Sequence, residues 1–301
     1  MAIKTTRTQE VAQVQIDHSR CKACGLCATV CGMTLYMDGG RVCIDQNKLF
    51  GCMGCAQCVT VCPEGCVTVV GRTLSEDDVL QLPPVQERAS YESMQALLVA
   101  RRSVRKYLER EVEAEKIAKI LEAAAAAPMG LPPSDVSVLV LGSREKVRQF
   151  SFDFIDYIAV KRWMFSAPML FLLRPFIGKE NIEMMTDFVK PFIDFAIEGK
   201  RHGQDYILYG APLAMLFQAS PYSDPADPHI AATYAMLAGE AMGLGTCMIG
   251  AVAPMIKYAP GLKAKYNIRP DMRSGLVVLF GYPAVRYIRG IRRTFANVDY
   301  V

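Results

Sequence analysis

Two cysteine runs constrain this chain more than anything else in it. They read Cys21-Lys-Ala-Cys24-Gly-Leu-Cys27-Ala-Thr-Val-Cys31 and Cys52-Met-Gly-Cys55-Ala-Gln-Cys58-Val-Thr-Val-Cys62-Pro63. Both have the spacing C-x2-C-x2-C-x3-C, and the second follows the first at an offset of 31 residues. Disulfides are the plain alternative, but eight cysteines doubled in one register argue against them. Zinc suits the runs poorly, because its sites come as two separated pairs rather than triplets with a trailing fourth. Triplets with a trailing fourth suit iron–sulfur ligation. Of the 11 cysteines, Cys43, Cys66 and Cys247 remain, and they are expected to be small buried hydrophobes.

Closed by Pro63, the doubled run resembles that of bacterial ferredoxins. The resemblance implies two [4Fe–4S] clusters with crossed ligands. Cys21, Cys24, Cys27 and Cys62 would hold one, and Cys52, Cys55, Cys58 and Cys31 the other. Residues 1–78 are thus expected to form a small ferredoxin-like domain whose clusters act as its packing hub. Strand-like Val14–Asp17 opens it, Met33–Met37 and Arg41–Asp45 flank Asp38-Gly39-Gly40 as a hairpin, and Val67–Val70 closes it. Thiolate clusters with no secretory signal ahead of them predict a reducing cytoplasm, in an anaerobe or facultative organism.

Residues 79–92 read as a linker. Ser75-Glu-Asp-Asp signals a helix start just before it, and Pro83-Pro84 stops whatever begins there. Residues 93–301 differ in character, and at 51% hydrophobic content the chain supports a sizeable core. Ser93–Ala100 is amphipathic, and Val112–Ala127 is strongly helical with Ile117, Ile120 and Leu121 on one face. Val136–Leu141, Met169–Leu173, Leu213–Phe217 and Val277–Phe280 read as strands. Alternating strands and helices predict an α+β or α/β layer fold. Within it, residues 150–205 are rich in aromatics and methionine, with helical spacing outside 166–173. They would be either core packing or a lid over a pocket. The apolar stretch Ala231–Ile256 carries one charge, Glu240, and is broken by glycines, so a buried helix and a tight turn are expected rather than a membrane span.

Arg101-Arg102-Ser103-Val104-Arg105 places three guanidiniums and a hydroxyl within five residues, a set suited to phosphate. Further on stand Glu240-Ala-Met-Gly243-Leu-Gly245-Thr-Cys-Met-Ile-Gly250 and Gly281-Tyr282-Pro283, the latter followed by Arg289, Arg292 and Arg293. In this order over roughly 210 residues, the three segments resemble those of the nitroreductase family of FMN flavoproteins. The resemblance implies a nitroreductase-like α/β sandwich, a central mixed sheet flanked by helices, in a homodimer with FMN at the subunit interface. Arg101, Arg102, Ser103 and Arg105 would hold the phosphate, ribityl chain and pyrimidine edge. Pro128, Met129, Gly130 and Leu131 would come from the partner subunit. Ile249 and Gly250 would lie beside the isoalloxazine, and Arg293 with Arg289 would close on the phosphate. The family's Asn and Gln after the first long helix are missing from Ala127-Pro-Met-Gly-Leu-Pro-Pro-Ser, so backbone contacts would serve there.

Together the two resemblances predict an oxidoreductase. Electrons would pass from ferredoxin or a similar low-potential carrier through the clusters to FMN, then as a hydride equivalent to a small organic acceptor such as a nitroaromatic, quinone or enone. Two other readings are a dehydrogenase running in reverse toward ferredoxin and a protein-to-protein electron-transfer module. Apart from Gly243-Leu-Gly245, which lacks a third glycine, there is no dinucleotide loop. His18, His202 and His229 lie outside the flavin segments, and no catalytic residue is assigned. Tyr206, Tyr209 and Tyr222 are candidate proton sources. Clusters and a flavin phosphate would take the formal charge of +4 to about −2, and no Lys/Arg block of five occurs, so neither nucleic acid nor membrane is an expected partner.

Overall fold

The computed structural model describes residues 2–272 and 274–301. The chain divides into two compact units. The first comprises Met1–Arg88 together with two later segments, Pro128–Val136 and Ala219–Asp227. The second comprises Ala89–Ala127, Ser137–Gln218 and Pro228–Val301.

In the first unit, β1 (Gln13–Ile16), α1 (Leu26–Val30), β2 (Leu35–Asp38), β3 (Arg41–Ile44), α2 (Gln57–Thr60) and β4 (Val67–Val70) follow in order. β1 pairs antiparallel with β4, Val14 opposite Val69, and β2 pairs antiparallel with β3. The Gly39-Gly40 turn has positive φ at both residues, as a two-residue hairpin turn requires. Each short helix begins one residue before the third cysteine of its triplet, and the repeat recurs in the backbone. Ala23 and Gly25 in the first run, and Gly54 and Ala56 in the second, all have positive φ. The core is small: Val14, Leu35, Val42, Val67 and Val69 are packed with Cys27, Cys58 and Cys66. Ser75 and Asp78 close a capping box on a single 3-10 turn, Glu76–Asp78, and residues 79–90 are exposed.

The second unit runs α3 (Tyr91–Ala100), α4 (Ala114–Ala125), β5 (Ser137–Leu141), α5 (Arg144–Val160), α6 (Ala167–Ile177), α7 (Lys179–Met184), α8 (Lys190–Arg201), β6 (Leu213–Ala219), α9 (Asp227–Ala241), β7 (Gly245–Ile249), α10 (Val252–Ile256), α11 (Pro260–Lys265) and β8 (Ser274–Gly281). The two elements at its borders, β6 and α9, each have one end residue in the first unit. The sheet order is β5-β6-β8-β7, with β5 antiparallel to β6 and β7 antiparallel to β8. β6 is buried along its whole length, which explains the apolar run Leu213–Phe217; Gln218, which follows, is buried as well. The core gathers Phe150, Phe154, Ile155, Ile158, Leu216, Val277 and Leu279. This is an α+β architecture.

One strand expectation is corrected. Met169–Leu173 lies in α6, where Pro168 occupies the first turn and presets a helical φ. A five-residue apolar run cannot be assigned to strand or helix by periodicity alone, and here the flanking proline decides. The strand β7 went unforeseen, because its Gly-Thr-Cys-Met-Ile run was read as part of a turn. Residues 150–205 are helical as expected. Phe150, Phe154, Phe165 and Ile193 belong to the core, whereas Phe171, Phe176 and Phe188 are exposed. Among the described residues, no helix is long and apolar enough to cross a membrane.

Candidate functional site

The first candidate site is the set of thiols in the first unit. A hollow is lined by Cys21, Cys24, Cys27 and Cys62, with Cys66 beside them. Three of these come from the first run and Cys62 from the end of the second. Burial pushes the Cys58 thiol up to about 12, and Cys31, Cys52 and Cys55 are the neighbours that add to it. Cys31 itself is raised by burial, but hydrogen bonds from Thr34 and the surrounding backbone outweigh this and hold it below its ordinary value.

Backbone N–H groups point at four of the sulfurs. Ala23 donates to Cys21 Sγ at 3.4 Å and Gly54 to Cys52 Sγ at 3.4 Å, equivalent places in the two runs. Thr34 donates to Cys31 Sγ at 3.5 Å, and Cys66 to Cys62 Sγ at 3.4 Å. Ala23 and Gly54 are themselves left-handed, and left-handed Gly65 precedes Cys66. Among the described residues, no three His, Cys, Asp or Glu side chains stand close enough to share one metal ion. Thiolates of a four-iron cluster each bind a different iron and stand wider apart. In ligand type and number, four thiols in each set match what such a group takes. Cys66 is buried as expected, yet its Sγ lies 3.4 Å from Cys62 Sγ, so it touches the set and is not mere filler.

The second candidate site is built where three distant segments meet in the second unit. Ser103 forms a parallel bridge with Thr246 of β7, and Val104 N–H donates to Thr246 O at 2.8 Å. On the other side, Tyr107 bridges Pro283, Leu108 N–H donates to Tyr282 O at 2.8 Å, and Ala284 N–H donates to Lys106 O at 2.9 Å. The arginine segment is thus laid between β7 and the end of β8. Glycine is needed at both joints: a Cβ on Gly245 would stand 2.5 Å from Val104 Cγ2, and one on Gly281 2.6 Å from Pro212 Cδ. Close backbone approach, not turn geometry, explains these two residues.

Arg101, Arg102 and Ser103 are half-buried and Arg105 is exposed. Arg102 donates to Arg289 O at 3.4 Å, so the C-terminal segment returns to the arginine cluster. Arg293 is exposed with the rest of the tail. Among the described residues, none of Arg101, Arg102, Arg105, Arg289, Arg292 and Arg293 forms an ion pair. Guanidiniums that form no ion pair with a carboxylate fit an anionic group such as a phosphate. Ile249 ends β7 and Gly250 follows it. Pro128, Met129, Gly130 and Leu131 lie in the first unit, where Gly130 N–H donates to Asp227 Oδ1 at 3.1 Å.

Sequence reasoning left several groups here without a role. Thr246 donates its hydroxyl to Glu240 Oε1 at 2.7 Å, tying the end of α9 to β7. Burial pushes the Glu240 carboxyl above its ordinary value, with Thr246 and Arg101 acting the other way. Burial likewise raises the Cys247 thiol, against the pull of Arg105, Ser103 and Arg101, and Cys247 is fully buried. Of the candidate proton sources, Tyr209 stands under the Arg105 guanidinium at 5.6 Å, Tyr206 packs on Phe195 at 4.2 Å, and Tyr222 lies under Lys4 in the first unit. Only Tyr209 is thereby joined to the arginine segment. His18, His202 and His229 are exposed.

With this geometry in hand, likeness to known proteins can be weighed. The Nitroreductase family model matches residues 98–282, more than half of the chain, and the protein belongs to the nitroreductase family. FMN reductase (NAD(P)H) of Bacillus subtilis (strain 168) is 27% identical over 155 residues, 52% of this chain and 53% of its own length. The chain therefore spans about half the length of that curated relative. The solved structure of a nitroreductase with bound FMN from Bacteroides fragilis NCTC 9343 covers 69% of this chain and 97% of its own, with a TM-score of 0.50 and 17% identity. At that identity the likeness speaks for the fold alone.

Proposed function

We propose that the protein is an FMN-dependent oxidoreductase fed by two [4Fe–4S] clusters held within its own chain, and that it reduces a small organic acceptor. The observation that carries the reading is the crossed thiol arrangement, with Cys62 beside Cys21, Cys24 and Cys27, in a chain whose other unit has the nitroreductase fold. The names of the Bacillus subtilis and Bacteroides fragilis proteins support FMN as the flavin. The unpaired arginine cluster supplies the charge its phosphate would need. FMN, when bound, accepts electrons singly and gives them up as a pair.

The chain's own residues set the conditions for this chemistry. Arg101, Arg102 and Arg289 would fix the phosphate, Ser103 and Ile249 the ribityl side and ring edge, and Arg105 would place positive charge by the pyrimidine. A cation there favours the reduced anionic flavin. The crossed thiolates would hold clusters that load electrons one at a time from a ferredoxin-type donor. A homodimer with Pro128, Met129, Gly130 and Leu131 of one subunit serving the other's flavin completes the reading. Anaerobic purification should yield about eight irons and about eight acid-labile sulfides per chain with one FMN. About four of each, or stoichiometric zinc, would contradict it. The name of the Bacillus subtilis relative favours NAD(P)H as a second candidate donor.

A further inference from the structure

Arg72 is 2% exposed, and its guanidinium is spent on backbone carbonyls. It donates to Met53 O at 3.0 Å, Glu10 O at 2.7 Å, Ile3 O at 2.6 Å and Pro132 O at 2.7 Å. Met53 lies between Cys52 and Cys55. The stem of Arg72 packs on Gly54, where an added Cβ would stand 3.5 Å from Arg72 Cβ. Arg72 and Thr73 also have positive φ, at 52° and 66°, in a turn closed by mutual hydrogen bonds of Gly71 and Leu74. Such backbone persists only where its surroundings over-determine it. The four carbonyl bonds do so. Of the anions around the guanidinium, Cys52 weighs most, ahead of Asp135 and Glu10.

The internal repeat makes the placement one-sided. An offset of 31 residues maps Gly71-Arg72 onto Gly40-Arg41, and Arg41 is exposed on β3. A fixed cation is thus buried beside the second cysteine run and absent from the equivalent place in the first. An electron added to a cluster makes it more negative, and a nearby buried cation stabilises that state in low dielectric. The fourth carbonyl bond goes to Pro132, within Pro128–Val136. Arg7 donates to Ser134 O at 3.1 Å and Thr6 N–H to Asp135 Oδ2 at 2.9 Å, holding the same segment.

Resting on the two-cluster reading above, we propose that Arg72 is a positioning residue that makes the cluster of Cys31, Cys52, Cys55 and Cys58 the higher-potential one and the exit toward the Pro128–Val136 segment. Cys21, Cys24, Cys27 and Cys62 would then hold the group that an external ferredoxin-type one-electron reductant loads first, the electron passing on with no proton taken up. Two such transfers supply the pair the acceptor needs. The test is an anaerobic redox titration of the full-length holoprotein, the clusters followed by electron paramagnetic resonance. Two midpoints are expected, and Cys55→Ala should abolish the higher. Arg72→Gln should lower the higher midpoint by at least a tenfold change in its equilibrium, about 59 mV, and leave the lower in place. Arg72→Lys should restore most of the shift, and Arg41→Gln should move neither. Loss of the lower midpoint in Cys55→Ala overturns the proposal, as does an Arg72→Gln protein with both midpoints unmoved or both shifted alike. If Arg72→Gln does not fold, the Cys55→Ala comparison still decides. Absence of iron from the wild-type protein would instead sink the two-cluster reading itself.

Discussion

Cys62→Ala should cost the protein the cluster of the first run, not the one in whose run Cys62 stands. The side chain lines the hollow of Cys21, Cys24 and Cys27, and alanine leaves one iron without a protein ligand. Iron content should fall from about eight to about four per chain. Double variants then separate crossed from run-by-run ligation. Cys24→Ala with Cys62→Ala should still hold about four irons, because both changes strike one cluster, whereas Cys55→Ala with Cys62→Ala should hold almost none. Ligation within each run predicts the reverse order. No assumption about the flavin enters, so the comparison isolates the first unit's chemistry.

Arg101→Ala should weaken FMN binding about ten- to a hundredfold, since charge-assisted hydrogen bonds to a phosphate are worth roughly 1.5–3 kcal/mol. Arg101 is half-buried, close enough to Glu240 and Cys247 to act on both, and it forms no ion pair that an incoming phosphate would have to displace. Equilibrium dialysis with FMN at low concentration reads the effect. Arg201→Ala, at the exposed end of α8, is the charge-matched control and should bind as the wild type does. Equal affinities in the two variants would remove Arg101 from the site.

What the sequence made legible follows the physics of each signal. Cysteine spacing marks the two thiol runs plainly, and the resemblance to ferredoxins supplied the crossed sets that are proposed. The flavin segments were readable because close backbone approach demands glycine at Gly245 and Gly281 and phosphate demands arginine, residue types that leave local marks. Their meeting around Val104 and Thr246 was not readable, since bridges between segments over a hundred residues apart have no local pattern. β7 was hidden for the same reason: its glycine and small side chains suit a joint as well as a turn. Met169–Leu173 misled because apolar content without period 2 or 3.6 is silent on geometry. Arg72 was invisible among 34 Lys and Arg residues. Nothing in Gly-Arg-Thr announces a guanidinium that will be buried on four carbonyls, and its counterpart Arg41 faces solvent.

The grouping of Pro128–Val136 with the N-terminal module bears on how the whole protein should be tested. Cutting away residues 1–78 would remove Arg72, Arg7 and Thr6, which hold that segment, and would disturb more than electron supply. Ligand substitution in the full chain is the cleaner operation. The most direct measurement is anaerobic stopped-flow bleaching of the bound flavin, with a reduced ferredoxin-type donor and with NAD(P)H, in wild type and in Cys55→Ala loaded with equal FMN. The account predicts fast bleaching of the wild type by the one-electron donor, a large loss of that rate in Cys55→Ala, and slow bleaching of both by NAD(P)H. Equal rates in the two proteins with the one-electron donor, or faster bleaching by NAD(P)H, would contradict it.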